Sequence, residues 1–159
     1  MVQDALFQLG MDSARLNTAQ TEDKNDTQAA ATAGGGKDHF IEKDGVECAG
    51  AHLIVDLYDA KRLDDLAFIE RTLIDCVEAA GATLLHIHLH PFEPNGGVSG
   101  VAVLAESHIS IHSWPERAYA ALDVFMCGDA VPERCIEVLE KAFRPGRLEV
   151  KELLRGKEA

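Results

Sequence analysis

From residue 51 onward the chain alternates short apolar runs with polar turns, whereas the first 45 residues show no sustained hydrophobic period. AHLIVDLY at 51–58 is apolar and β-branched and precedes a polar turn at 59–62, which predicts a strand. In LDDLAFIERTLIDCVEAAGA the apolar residues Leu66, Ile69, Leu73, Val77 and Ala80 recur at intervals of three and four, and Gly81 supplies a stop. This segment is expected to be a helix with one face laid on a sheet. TLLHIHLH at 83–90 reads as a strand, and the prolines and glycines of 91–97 turn the chain. VSGVAVLA at 98–105 and ISIHSW at 109–114 are strand-like; Glu106, Ser107 and His108 interrupt the run between them, and Pro115 ends it. YAALDVFMC at 119–127 is a further strand. Asp129 and Pro132 mark the start of a helix reaching Phe143, with Ile136, Leu139 and Phe143 inward, and RLEVKELL at 147–154 closes the chain as a strand.

The order β-α-β-β-β-β-α-β predicts an α+β fold, a two-layer sandwich in which helices cover one face of a largely antiparallel sheet. Residues 1–45, rich in Ala, Thr, Gln, Asp, Asn and Gly and including AAATAGGGKD, are expected to be a disordered extension. That leaves 46–159 as the folded domain. A chain of 159 residues supports one such core and not two ordinary ones.

Composition narrows the function classes. Hydrophobic residues make up 47% and charged residues 26%, the balance of a soluble globular protein. No apolar run approaches the roughly 20 residues that cross a bilayer, and no secretory pattern opens the chain, so no membrane association and a cytoplasmic location are expected. A formal net charge of -12 repels a phosphate backbone, so nucleic acid is not expected as a partner. The same field favours a cationic substrate, although acidic surfaces also serve solubility alone. Cys48, Cys76, Cys127 and Cys135 form no CxxC pair and are read as free thiols. Cys76 and Cys135 fall on helices, where a cysteine serves as a small buried residue, whereas Cys127 ends a strand before a glycine.

Reactive side chains concentrate between Ser99 and Cys127. Strand alternation puts His108, Ser110 and His112 on one face, which suits the solvent side of a sheet as well as a site. The break at Glu106 and Ser107 is different, because a hydroxyl on a tight, strained peptide can attack the carbonyl before it. The amide becomes an ester through the serine oxygen, a base removes the α-proton, and Glu106 leaves as a carboxylate. The dehydroalanine left behind hydrolyses to a pyruvoyl group. Ordinary side chains offer no good electron sink for decarboxylation, so an enzyme of that kind needs pyridoxal phosphate or a carbonyl made in place. His86, His88 and His90 share one face of a strand, but they span about 13 Å, too far for one ion to reach all three, and no metal is assigned.

VSGVAVLAESHISIHSWPE followed by YAALDVFMCGD resembles the bacterial and archaeal S-adenosylmethionine decarboxylases, with the likeness running from about residue 50 to 150. The resemblance implies self-cleavage between Glu106 and Ser107 into a β chain, 1–106, and an α chain, 107–159, with Ser107 becoming a covalent pyruvoyl cofactor that forms a Schiff base with substrate. It implies that His112 and Ser99 assist processing and that Cys127 is the proton donor after carbon dioxide leaves; a thiol, titrating near about 8.5 in model peptides, suits that task. Phe92 is similar to the aromatic that packs on the adenine ring, and Glu116 to the carboxylate that binds the ribose hydroxyls, although a Phe beside a turn also serves a core and a Glu after Pro is commonly solvated. The implied substrate is S-adenosylmethionine, the implied product its decarboxylated form for polyamine synthesis, and the implied assembly a homodimer of αβ units whose sheets face one another. Relatives apply the same chemistry to arginine or ornithine, and the turn PFEPNGGVSG is one residue longer than the family pattern. An uncleaved metal-dependent hydrolase and a non-enzymatic binding module are the competing readings; neither accounts for the break at Glu106 and Ser107.

Overall fold

A computed structural model describes residues 39–157 and Ala159. Two short strands, β1 (Ile41–Lys43) and β2 (Val46–Cys48), pair as an antiparallel hairpin. There follow β3 (Gly50–Tyr58), α1 (Leu66–Ala80), β4 (Leu84–Pro91), β5 (Val98–Leu104), β6 (Ser107–Trp114), a 3-10 turn at Pro115–Arg117, β7 (Tyr119–Met126), α2 (Glu133–Phe143) and β8 (Arg147–Arg155). The last six strands form one sheet in the order β4-β5-β6-β7-β3-β8, and every neighbouring pair is antiparallel. The α+β architecture is therefore the one the hydrophobic pattern predicts.

Alternation along the strands explains why the sheet has one covered face. Leu53, Val55 and Leu57 of β3, Ile109 and Ile111 of β6, and Leu122 and Val124 of β7 point to one side, where they bury against Ile69, Leu73 and Val77 of α1 and Leu139 and Phe143 of α2. The alternate residues, including His52, Asp56, Val101, His108, Ser110, His112 and Asp123, point to the opposite face, which carries no helix among the described residues. Val103, Trp114 and Leu153 stand 39%, 41% and 48% exposed on that open face.

Helix ends follow local chemistry. Asp65 caps α1 by accepting a hydrogen bond from the Phe68 amide at 3.0 Å, and Gly81, at φ 75°, closes it in the left-handed region that glycine adopts without strain. At α2 the cap position is taken by Pro132, without a side-chain hydrogen bond, while Asp129 lies in the preceding turn.

One boundary differs from expectation. The first 38 residues of the extension read over 1–45 lie outside the described part, but Ile41–Lys43 belongs to a strand. Asp44 and Gly45 turn this hairpin with φ of 53° and 76°, conformations that suit Asp-Gly, and Lys43 reaches Glu133 of α2 and Glu152 of β8. A three-residue strand is too short to show a hydrophobic period, which is why the pattern alone misses it.

Candidate active site

The hairpin joining β5 to β6 has Ala105 and Glu106 at its tip, because Leu104 pairs with Ser107. Glu106 sits at φ 63°, at the second position of a two-residue turn where glycine or asparagine is usual. A left-handed conformation at a residue with a Cβ costs about 1–2 kcal/mol, so the peptide before Ser107 is held in an unfavourable conformation by its surroundings.

Those surroundings are Cys127 and its neighbours, brought alongside because β6 pairs with β7. The Cys127 amide donates to Ser107 Oγ at 3.3 Å, and the Cys127 thiol donates to the Glu106 carbonyl oxygen at 2.9 Å. Ser107 Oγ and Cys127 Sγ are 3.6 Å apart. Ser107 is buried and Cys127 half-buried, and the thiol donates, at a solvent-exposed contact, to the carbonyl that a Ser107 nucleophile would attack. On the far side of the turn, the Glu106 carboxylate meets the ring of His39 at 2.9 Å.

The other residues singled out in the sequence lie elsewhere. Ser99 Oγ and His112 Nδ1 are 2.7 Å apart across the β5 and β6 register. They line a cleft of about 340 Å³ together with Phe92, Asn95, Gly97, Ser113, Trp114 and Glu116. Four of the seven predicted site residues therefore meet in this cleft, and Glu106, Ser107 and Cys127 meet at the hairpin tip. His112 is five residues along β6 from Ser107, about 17 Å of extended chain, and by alternation on the other side of the strand. Within one chain, the fold does not bring His112 to Ser107.

The loop beside the cleft is held in shape by its two glycines. The Phe92 amide donates to the Gly97 carbonyl at 2.7 Å to close it, Gly96 adopts φ 69°, and a Cβ on Gly97 would come within 2.8 Å of the Ser113 carbonyl oxygen. Both glycines are required, and between them they leave Phe92 half exposed, with its ring against that of His90 at 4.9 Å.

Trp114 is a cleft residue that the sequence reading leaves unassigned. Its ring stacks on Tyr119 at 5.4 Å, and Tyr119 donates to Asp56 at 2.5 Å. That hydrogen bond, with burial adding to it, pushes the Tyr119 phenol up to about 12. The available signal was position: alternation from His112 puts Trp114 on the same face.

A third cluster occupies the middle of the open face. His52 lies between Arg155, 3.2 Å from its Nδ1, and Asp123, 3.2 Å from its Nε2, and Ser110 donates to the other Asp123 oxygen at 3.0 Å. Because a guanidinium only donates, Nδ1 of His52 must accept and the ring proton resides on Nε2. Burial first, and then the neighbouring His52, hold the His108 imidazole below its ordinary value. His86, His88 and His90 are exposed along the edge strand β4. Among the described residues, no helix is long and apolar enough to cross a membrane.

Comparison with known proteins identifies the family. The family model described as S-adenosylmethionine decarboxylase matches residues 51–156. An S-adenosylmethionine decarboxylase proenzyme of Thermomicrobium roseum is 49% identical over 67% of this chain and 93% of its own length. Its counterpart in Methanococcus maripaludis is 50% identical over 67% of this chain and 89% of its own length. The crystal structure of the adenosylmethionine decarboxylase from Aquifex aeolicus superposes with a TM-score of 0.62 at 32% identity, covering 69% of this chain and 92% of that one. The matched span takes in Ser99, Ser107, His112 and Cys127, and the chain belongs to the S-adenosylmethionine decarboxylase family.

Proposed function

We propose that this protein is a self-processing decarboxylase that converts S-adenosylmethionine to its decarboxylated form and carbon dioxide, supplying polyamine synthesis. The observation that carries the reading is the left-handed Glu106, with its carbonyl oxygen 2.9 Å from the Cys127 thiol and Ser107 adjoining. Ser107 Oγ attacks the Glu106 carbonyl carbon, the C–N bond breaks, and the Ser107 nitrogen takes up the proton. Removal of the Ser107 α-proton then breaks the Cβ–Oγ bond and releases Glu106 as a carboxylate. The dehydroalanine tautomerises and hydrolyses with loss of ammonia, leaving a pyruvoyl group at the head of 107–159.

That group supplies the electron sink for decarboxylation that the side chains lack. Cys127, beside the position of Ser107, delivers the proton to substrate carbon after carbon dioxide departs. Phe92 offers an exposed aromatic face for adenine, and Glu116 a carboxylate for the ribose hydroxyls, in a cleft within the usual size range of small-molecule sites. The acidic surface favours the cationic sulfonium substrate over anionic competitors. Four free thiols accord with a cytoplasmic location.

The separation of the two clusters bears on assembly. If His112 and Ser99 assist the chemistry of Ser107, they do so from a second copy, with the open sheet faces of two chains packed together. Each site then combines Ser107 and Cys127 of one chain with Phe92, Ser99, His112 and Glu116 of the other.

Intact mass under denaturing conditions, with and without a ketone-trapping reagent, tests the reading. Expected are two fragments that meet between Glu106 and Ser107, the 107–159 fragment reacting with the reagent, and a single unreactive chain for Ser107→Ala. A wild-type chain that stays intact on long incubation overturns the reading. Release of labelled carbon dioxide from S-adenosylmethionine, compared with arginine and ornithine, then fixes the substrate.

A further inference from the structure

His39 precedes the hairpin of β1 and β2 and lies outside residues 51–156, the span shared with the family. It nevertheless touches both walls of the hairpin tip where Ser107 sits. Its carbonyl oxygen accepts the Gly128 amide at 3.0 Å, which anchors the segment beside Cys127, and its Nδ1 lies 2.9 Å from Glu106 Oε2. Gly128, at φ 62°, passes so close that an added Cβ would come 3.3 Å from His39 Nδ1. Glu106 is thus gripped at two points, its carbonyl by the Cys127 thiol and its carboxylate by His39.

Two grips matter because Glu106 occupies a backbone conformation that it would leave if free. With only the thiol on the carbonyl, the residue can swing its side chain and relax toward the common right-handed region, turning the carbonyl away from Ser107 Oγ. A second tether on the side chain shrinks that freedom and raises the fraction of time in which nucleophile and carbonyl are aligned. We propose that His39 is a positioning residue for self-cleavage, contributed by a segment outside the family span. The role rests on the reading of Glu106 and Ser107 as the processing bond. The two side chains are 56% and 52% exposed, so the effect is that of one exposed charge-assisted hydrogen bond and not of a buried network.

The test follows conversion of the freshly synthesised full-length chain into its two fragments in a translation pulse and chase. His39→Ala should slow conversion about five-fold, the rate equivalent of one such bond, with the melting temperature of the processed protein unchanged. His39→Asn, whose amide nitrogen falls near the position of Nδ1, should recover most of the rate. In a Glu106→Ala background, which removes the carboxylate, His39→Ala should produce no further slowing. Wild-type rates in His39→Ala, no recovery by Asn, or an undiminished effect in the Glu106→Ala background would each overturn the role. A wild-type chain that never splits overturns the self-cleavage reading and this role with it, whereas a wild type that splits while His39→Ala keeps pace overturns the role alone.

Discussion

Cys127 meets the Glu106 and Ser107 peptide at two atoms. Its amide donates to Ser107 Oγ whatever its side chain and its thiol donates to the Glu106 carbonyl; the proposed function gives the thiol a second duty, as proton donor to substrate carbon. Substitution can separate the two duties of the thiol. Cys127→Ser keeps a donor for the carbonyl and should cleave at close to the wild-type rate, but an alcohol is a far weaker acid than a thiol, so carbon dioxide release should fall roughly 100-fold or more. Cys127→Ala lacks both and should cleave slowly as well as turn over poorly. Parallel measurement of fragment appearance and labelled carbon dioxide release checks this; equal loss of both in Cys127→Ser would show that the thiol has one role. At this scale the sequence singles out Ser107 and Cys127, which the fold brings together, because each breaks a pattern, a polar residue inside an apolar run and a cysteine at a strand end. His39 breaks none. Its partner is 67 positions away, between His39 and Glu106, and only the fold brings them together.

Strands β4 and β5 approach closely at Gly100. A Cβ on Gly100 would come within 2.4 Å of the His88 carbonyl oxygen and 2.9 Å of the Leu89 Cα, both backbone atoms that cannot move aside without parting the strands. Gly100→Ala should therefore destabilise the fold by about 1–3 kcal/mol and, by shifting Ser99 away from His112, impair processing as well. Thermal melting alongside the fragment assay checks the prediction, and an unchanged melting temperature would sink it. The main elements were legible because each strand from β3 to β8 is long enough to alternate or to bury a run, and α1 carries a stripe at helical spacing with a stop at Gly81. Gly100 itself was visible only as part of VSG. That it marks a close approach of two backbones depends on the register of β4 against β5, including the irregularity between Leu84 and His86, which no local pattern encodes.

The whole molecule has to reconcile one chemistry with two separated clusters. Ser107 and Cys127 occupy the hairpin tip, and His112, which shares the cleft with Ser99 opposite it on β5, lies about 17 Å along β6, a distance that side-chain motion cannot close. The sequence placed all of these residues in one site because linear proximity within a motif says nothing about strand length or strand face. A two-fold dimer that set the cleft of each chain against the tip of the other would resolve the separation. The idea predicts complementation. Ser107→Ala cannot cleave, and His112→Ala should cleave slowly or not at all, when each is expressed alone. Coexpressed, a mixed dimer contains one complete site, built from Ser107 of the His112→Ala chain and His112 of the Ser107→Ala chain, and one site lacking both. With equal amounts and random pairing, about half of the His112→Ala chains sit in mixed dimers and should split. Mass spectrometry distinguishes the two chains, so the assay reads which one is cut. Cleavage of the His112→Ala chain in the mixture at the rate seen alone would mean that His112 does not act between chains.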